Sequence, residues 1–265
     1  MLTINDLVQP DSVEEAYKIL ITRKNNAVLG GCAFLRMGSR NIGTAIDLAK
    51  LGLHDIKEVE GYIQIGAMTT FRDIELSPLL QQFAAGVLPQ AVSHVIGVQF
   101  RNVVTIGASV YSKYGFSDLL TALLALETEV ELFKGGRMSL AEFLDKPAAR
   151  DILMYVWIKK VDCSAAYQSM RMSASDYPVL NVAVAKTGRD WKVTVGARPK
   201  KAVIAQQLSA ELSHKNVNHE NVDFFAYIAC EELVFGTNAR GTAQYRKEMC
   251  KVLIRRAIKE VLQCK

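Results

Sequence analysis

Cysteine pairs at metal or redox spacing are missing from this sequence. No C-x-x-C occurs, and the five cysteines stand far apart at positions 32, 163, 230, 250 and 264. An odd number at such spacings excludes a disulfide framework and indicates no zinc or iron–sulfur site. Cys230 and Cys250 lie in helical patterns and read as small core hydrophobes. The four histidines (His54, His94, His214, His219) form no H-x-x-x-H pair, so no metal site is expected. Lysine and arginine are spread without a block of five or six, and the net charge of +5 reads as solvated faces rather than a nucleic-acid surface. The most apolar window, Leu119 to Leu126, is far too short to span a bilayer. The opening residues, Met-Leu-Thr-Ile-Asn-Asp, lack a basic stretch followed by an apolar one, so no secretory leader is expected and a cytoplasmic location is the default. Repeats and low-complexity linkers are absent as well.

What is there is ordinary globular material, 50% hydrophobic and 22% charged over 265 residues, enough for one large domain or two modest ones. Asp11-Ser12 before Val13-Glu14-Glu15-Ala16 looks like a capped helix start. Residues 27–29 and 44–48 read as strands, and 57–66 as a hairpin around Gly61. Helices are expected over about 70–84 and 86–95, then an apolar strand at 103–107, a helix from Asp118 to Leu126 and a strand at 129–132. The second half changes character. Strand-like runs at 152–158, 165–172, 179–186 and 191–197 precede helices at about 201–213, 219–231 and 242–262. An α/β half followed by a meander with helices implies an α+β chain of two domains, 1–160 and 161–265.

The stretch Ala27-Val28-Leu29-Gly30-Gly31-Cys32-Ala33-Phe34 poses a question, because a buried strand has no use for two glycines. One answer is a tight turn whose positive φ only glycine tolerates. The other is a loop kept bare so that phosphates approach its backbone N–H groups. A second apolar run ends likewise in small residues, Gly107-Ala108-Ser109. Neither site matches G-x-G-x-x-G or G-x-x-x-x-G-K-S/T, which argues against a Rossmann or P-loop nucleotide site.

Five segments in order resemble the flavin-binding medium subunit of molybdenum hydroxylases, the xanthine dehydrogenase and carbon monoxide dehydrogenase family. They are Leu29-Gly30-Gly31-Cys32-Ala33-Phe34, Ile65-Gly66-Ala67-Met68-Thr69-Thr70, Arg101-Asn102-Val103-Val104-Thr105-Ile106-Gly107-Ala108-Ser109, Ser117-Asp118 to Leu126, and Phe235 to Arg246. Four positions depart from the family pattern: Cys32 stands for threonine, Ala108 for glycine, Ser109 for asparagine and Thr121 for proline.

The resemblance implies a two-part FAD-binding domain of the PCMH type, with subdomains of about 1–54 and 55–160, followed by a C-terminal antiparallel sheet with helices. It implies FAD held by Leu29 and the loop Gly30, Gly31, Cys32, Ala33, Phe34, Leu35 and Arg36, with Thr69 nearby. Thr105, Ile106, Gly107, Ala108 and Ser109 would approach from another side. Asp118 matches a cofactor-binding aspartate, although an aspartate before a helix also serves as an N-cap. Val95 and Leu153 match apolar positions beside the flavin and would otherwise be core residues. Tyr177 matches an aromatic that covers the isoalloxazine ring, and would otherwise be an exposed turn aromatic. The implied partners are a large molybdopterin-binding subunit, a small 2Fe–2S subunit, and NAD or another electron acceptor, with no nucleic acid and no membrane span. No acid, base or nucleophile of the protein is required, since the flavin carries the chemistry. A non-catalytic scaffold with a degenerate FAD site is the alternative, motivated by positions 32, 108 and 109.

Overall fold

The apolar segments of the first half build two separate sheets. A computed structural model describes residues 1–147 and 149–264, and the chain divides into two compact units whose sequences interleave. The first unit takes Met1–Ile74, Val98–Ser112 and Thr128–Lys159. In it β1 (Thr3–Val8), β2 (Ala27–Leu29) and β3 (Asn41–Asp47) pair in parallel, with β3 in the middle. β3 takes the centre because Ile42, Ala45 and Ile46 are buried to within 1% exposure. The helix Val13–Thr22 lays Ala16 and Leu20 against Ile46, Leu48, Leu53 and Ile152. Its cap is Ser12, whose hydroxyl accepts the Glu15 N–H. At its other end the Arg150 guanidinium donates to the carbonyls of Leu20, Arg23 and Lys24, satisfying the last turn.

The unit's second sheet is antiparallel. It contains β4 (Ile56–Val59), β5 (Tyr62–Gly66), β6 (Thr128–Leu132), β7 (Gly136–Ser139) and β8 (Leu153–Lys159), in the order β4-β5-β8-β6-β7. The hairpin read at 57–66 turns at Glu60 and Gly61, both with positive φ.

Three sequence expectations change. β1 was not foreseen, since five of its six residues are exposed and carry no alternation. The helix at 70–84 is broken into Phe71–Leu76 and Pro78–Gln82, because Pro78 favours a helix start and disfavours helix in the residue before it. Ala84 and Ala85 then take positive φ in the turn Phe83–Gly86. The apolar run 103–107 is not a strand. Thr105 caps a helix, Ile106–Tyr111, by accepting the Ala108 N–H at 3.2 Å, and the β-branched run finds only a single bridge, Thr70 to Thr105.

The second unit takes Glu75–Gly97, Lys113–Glu127 and the chain from Lys160 on. Its sheet, β9 (Ser164–Arg171), β10 (Pro178–Thr187), β11 (Asp190–Gly196) and β12 (Val203–Ile204), is wholly antiparallel in the order β12-β11-β10-β9. Side chains alternate across it. Leu180, Val182, Val184, Val193 and Val195 join the helices Gln206–His214, Val222–Glu232 and Ala243–Gln263 in one core. The alternate residues Asn181 and Thr194 meet the helix Asp118–Ala125, Thr194 Oγ1 donating to Thr121 O at 2.8 Å and Thr121 Oγ1 to Asn181 Oδ1 at 2.9 Å. β10 is buried on both faces, hence its long apolar run, interrupted by Asn181. Arg246, 1% exposed, donates to the carbonyls of Val179, Gly236 and Gly241 and to Asn238 Oδ1, fixing the segment before the last helix. No helix among the described residues is long and apolar enough to cross a membrane.

Candidate functional site

In the first unit three segments meet backbone to backbone. After β2 the chain turns through Gly31 (φ 74°) and Cys32 (φ 56°) into a short helical turn, Leu35–Met37. A β-carbon on Gly30 would stand 2.5 Å from the Ala108 methyl and 2.9 Å from Thr105 Oγ1. On Gly31 it would stand 1.6 Å from the Val103 carbonyl oxygen. The glycine pair is therefore bare because its own chain lies against it, and Gly31 also needs its positive φ. Gly107 is pressed the same way onto Ala67, whose oxygen a β-carbon would approach to 2.6 Å.

The two glycine-bearing segments differ in what their amides have left to give. Ile106 donates to Thr69 O and Gly107 to Ala67 O, both at 2.9 Å, while Ala108 and Ser109 donate to Thr105. All four N–H groups are used. In the first segment the N–H groups of Gly31, Cys32, Ala33 and Leu35 meet no acceptor among the described residues. Consecutive free amides around left-handed residues make a concavity suited to an anion. Thr69, fully buried, carries a hydroxyl Oγ1 without a partner among the described residues. Leu153, 5% exposed, begins β8 beside Met154, whose carbonyl receives the Ala67 N–H at 2.9 Å.

In the second unit Asp118 is the first helical residue, and the cap is Ser117, which accepts the Leu120 N–H. The capping role weighed for Asp118 falls to its neighbour, which frees the carboxylate. Asp118 is 6% exposed; its Oδ1 accepts from the Tyr167 phenol and the Arg171 guanidinium and lies 3.5 Å from Asn181 Nδ2. Burial, together with the Asp118 charge, raises the Tyr167 phenol well above its ordinary value, so it stays protonated and donates. Arg171 also donates to Asp176 O at 2.6 Å, and its Nε is buried without a partner among the described residues. Every one of these contacts falls on Oδ1, which leaves Oδ2 to receive a donor from a ligand.

Tyr177 is neither free nor merely a surface aromatic. Its ring centroid lies 4.5 Å from that of Phe116, which stacks on Tyr114 at 5.1 Å, and the Arg240 guanidinium lies 4.9 Å over its face. Arg240 pairs with Asp176, which accepts the Tyr177 N–H at 2.7 Å. Val95 follows the helix Val87–Ser93 and is half-buried. Sequence reasoning missed Tyr167, Arg171, Asn181 and Arg240. Tyr167 and Arg171 are four apart on β9 and so share a face, but nothing local names Asp118, some fifty positions earlier, as their partner.

A family profile described as the FAD binding domain in molybdopterin dehydrogenase matches residues 3–161. The chain belongs to this family. A second profile, the CO dehydrogenase flavoprotein C-terminal domain, matches residues 165–261. The nicotine 6-hydroxylase medium subunit of Paenarthrobacter nicotinovorans is 26% identical over 269 residues, 95% of each chain. The glyceraldehyde dehydrogenase medium chain of Sulfolobus acidocaldarius is 25% identical over 96% of this chain and 97% of its own. Among solved structures, carbon monoxide dehydrogenase from Hydrogenophaga pseudoflava shares the fold, with a TM-score of 0.90 at 22% identity over 99% of this chain and 98% of that one. As a member of the molybdenum hydroxylase flavoproteins, the chain is an FAD-binding oxidoreductase component.

The residues present fit that cofactor. The amides of Gly31, Cys32, Ala33 and Leu35 suit its pyrophosphate, and the Thr69 hydroxyl, without a partner among the described residues, lies one backbone hydrogen bond from the segment at 106. The departures leave the free amides in place. The Ala108 methyl packs over Gly30, inside the protein, and Ser109 keeps a hydroxyl.

Proposed function

We propose that this chain is the electron-transfer flavoprotein (medium) subunit of a multi-subunit molybdenum hydroxylase. A large molybdopterin-binding subunit oxidises the substrate, and a small 2Fe–2S subunit delivers electrons to this one. When bound, FAD would supply two-electron redox chemistry, with NAD or another acceptor as the recipient.

The protein's own residues bind and orient. Within the Gly30–Arg36 loop the amides of Gly31, Cys32, Ala33 and Leu35 hold the pyrophosphate, with Leu29 at its entrance and Thr69 beside it. Thr105, Ile106, Gly107, Ala108 and Ser109 supply shape and one hydroxyl rather than amides. Asp118 accepts a cofactor hydroxyl, its orientation set by Tyr167 and Arg171. Val95 and Leu153 give apolar surface, and Tyr177 an aromatic face, to the isoalloxazine ring. The two profile matches support a division of the sequence near residue 160. Five free thiols support a reducing, cytoplasmic setting.

The observation that carries this reading is the set of amides of Gly31, Cys32, Ala33 and Leu35 that meet no acceptor among the described residues, in a chain of this family. Mixing the protein with FAD and passing it through gel filtration tests it. Flavin absorbance should travel with the protein and protect it against thermal unfolding. A colourless protein peak at micromolar concentration would establish the scaffold alternative instead.

A further inference from the structure

The turn that carries Tyr177 has few means of holding itself. Met172, Ser173, Ala174 and Ser175 are all exposed, and the last three are small. A loop tip of this kind opens readily unless something ties it down. Two guanidiniums do so here, and both act on Asp176. Arg171 Nη1 donates to Asp176 O at 2.6 Å, while its Nη2 donates to the Asp118 carboxylate. Arg240 Nη1 donates to Asp176 Oδ1, the same oxygen that accepts the Tyr177 N–H at 2.7 Å. The Arg240 guanidinium also lies 4.9 Å over the Tyr177 ring, and Phe116 packs against that ring at 4.5 Å, tilted by 56°. A guanidinium on one face confines a stacking ligand to the opposite one.

Arg240 is presented by a well-tied loop. The Arg246 side chain, 1% exposed, donates to Gly236 O, Gly241 O and Asn238 Oδ1. Asn238 Oδ1 also accepts the Arg240 N–H at 3.0 Å, and Asn238 and Gly241 exchange backbone hydrogen bonds of 3.1 Å. The guanidinium therefore starts from a fixed backbone, and less freedom is lost when it closes on Tyr177.

We propose that Arg240 is a positioning residue, clamping the turn at 173–177 so that the Tyr177 ring is set in place before a cofactor arrives. The inference rests on the reading above, in which Tyr177 gives an aromatic face to the isoalloxazine ring. An exposed ion pair alone contributes little. This pair is joined to a ring contact and to a backbone hydrogen bond on the same carboxylate oxygen, so one side chain fixes both the turn and the ring.

Hydrogen exchange on the full-length apoprotein tests the clamp without any cofactor. The amides of Asp176 and Tyr177 donate to Ser173 O and Asp176 Oδ1, and in Arg240→Met they should exchange roughly five- to tenfold faster than in wild type. Arg240→Lys keeps a cation for the ring and the carboxylate without the planar fork, and should fall between the two. Wild-type rates in Arg240→Met would overturn the proposal. Arg240→Gln repeats the measurement should the methionine variant fail to fold. A second arm reads the emission of bound FAD, which a tyrosine beside the flavin quenches by electron transfer. Tyr177→Leu and Arg240→Met should both brighten the bound flavin. A bright Tyr177→Leu beside an Arg240→Met as dark as wild type would overturn the part assigned to Arg240. Emission unchanged in Tyr177→Leu would overturn the reading of Tyr177, and a protein that binds no FAD would overturn the flavoprotein reading. In either case the exchange rates decide the clamp on their own.

Discussion

A β-carbon on Gly31 would stand 1.6 Å from the carbonyl oxygen of Val103, so the turn after β2 and the segment before the Ile106–Tyr111 helix touch through bare backbone. This contact gives the glycine pair its first task, which is to let the loop seat against Val103 and Ala108.

Gly31→Val should therefore damage the apoprotein as well as flavin binding. The left-handed φ alone costs on the order of 1–3 kcal/mol in a branched residue, and the clash with Val103 adds to it. Thermal unfolding without FAD should begin at a clearly lower temperature than wild type. An unchanged apoprotein transition with flavin binding lost would mean that the glycine serves the ligand alone.

Asp118→Asn should uncouple Arg171 and Tyr167 from their shared acceptor. Removing one member of a buried charge pair typically costs about 3–5 kcal/mol, and the cofactor would lose its hydroxyl acceptor as well. Urea unfolding of the apoprotein should show the first loss, and flavin titration the second. Wild-type stability in this variant would count against the buried pair.

The phenol of Tyr167 carries a pH signature. Its folded pKa is raised well above the unfolded value, so the folded state keeps the proton longer. The stabilisation is complete below about pH 10, where the unfolded phenol is still protonated, and is lost as pH rises toward the folded pKa. Wild-type stability should fall more steeply than that of Tyr167→Phe above about pH 10. Unfolding midpoints in urea across that range give the difference, and parallel curves would refute the coupling.

Changing Ala108→Gly together with Ser109→Asn should tighten FAD binding by roughly tenfold or less, about 1.4 kcal/mol. The Ala108 methyl lies over Gly30 and leaves the amides of 31–35 unobstructed. Fluorescence titration of both proteins checks this. Binding that appears only in the double variant would identify the natural sequence as a closed site.

Strands of the second half were readable because β10 is apolar but for Asn181 through most of its length and its turn, Thr187 to Asp190, is polar: the expected 179–186 is observed as Pro178–Thr187. The glycine pair was readable as a special backbone site, but not the reason for it, since Val103 and Ala108 are distant in sequence. The run 103–107 was misread as strand because β-branched residues look alike in a strand and before a helix, and the Thr105 cap decided between them. The Asp118 cluster was half visible. The carboxylate is marked by the resemblance of Ser117-Asp118 to Leu126 to the family's motif, its place before an apolar helix suggesting only a cap, whereas Tyr167 and Arg171 depend on β9 folding back beside that helix.

Interleaving has a practical corollary for anyone who would cut this chain. The helix Asp118–Ala125 comes from the first half of the sequence, yet Thr121 answers Asn181 and Thr194 from the second half. A fragment beginning near residue 161 would carry the sheet β9–β12 with one face stripped of its cover and Arg171 without its carboxylate. The line that separates the two sequence families is thus not a line along which the protein can be divided into independently folding halves, and expression of either piece alone should yield aggregation-prone material.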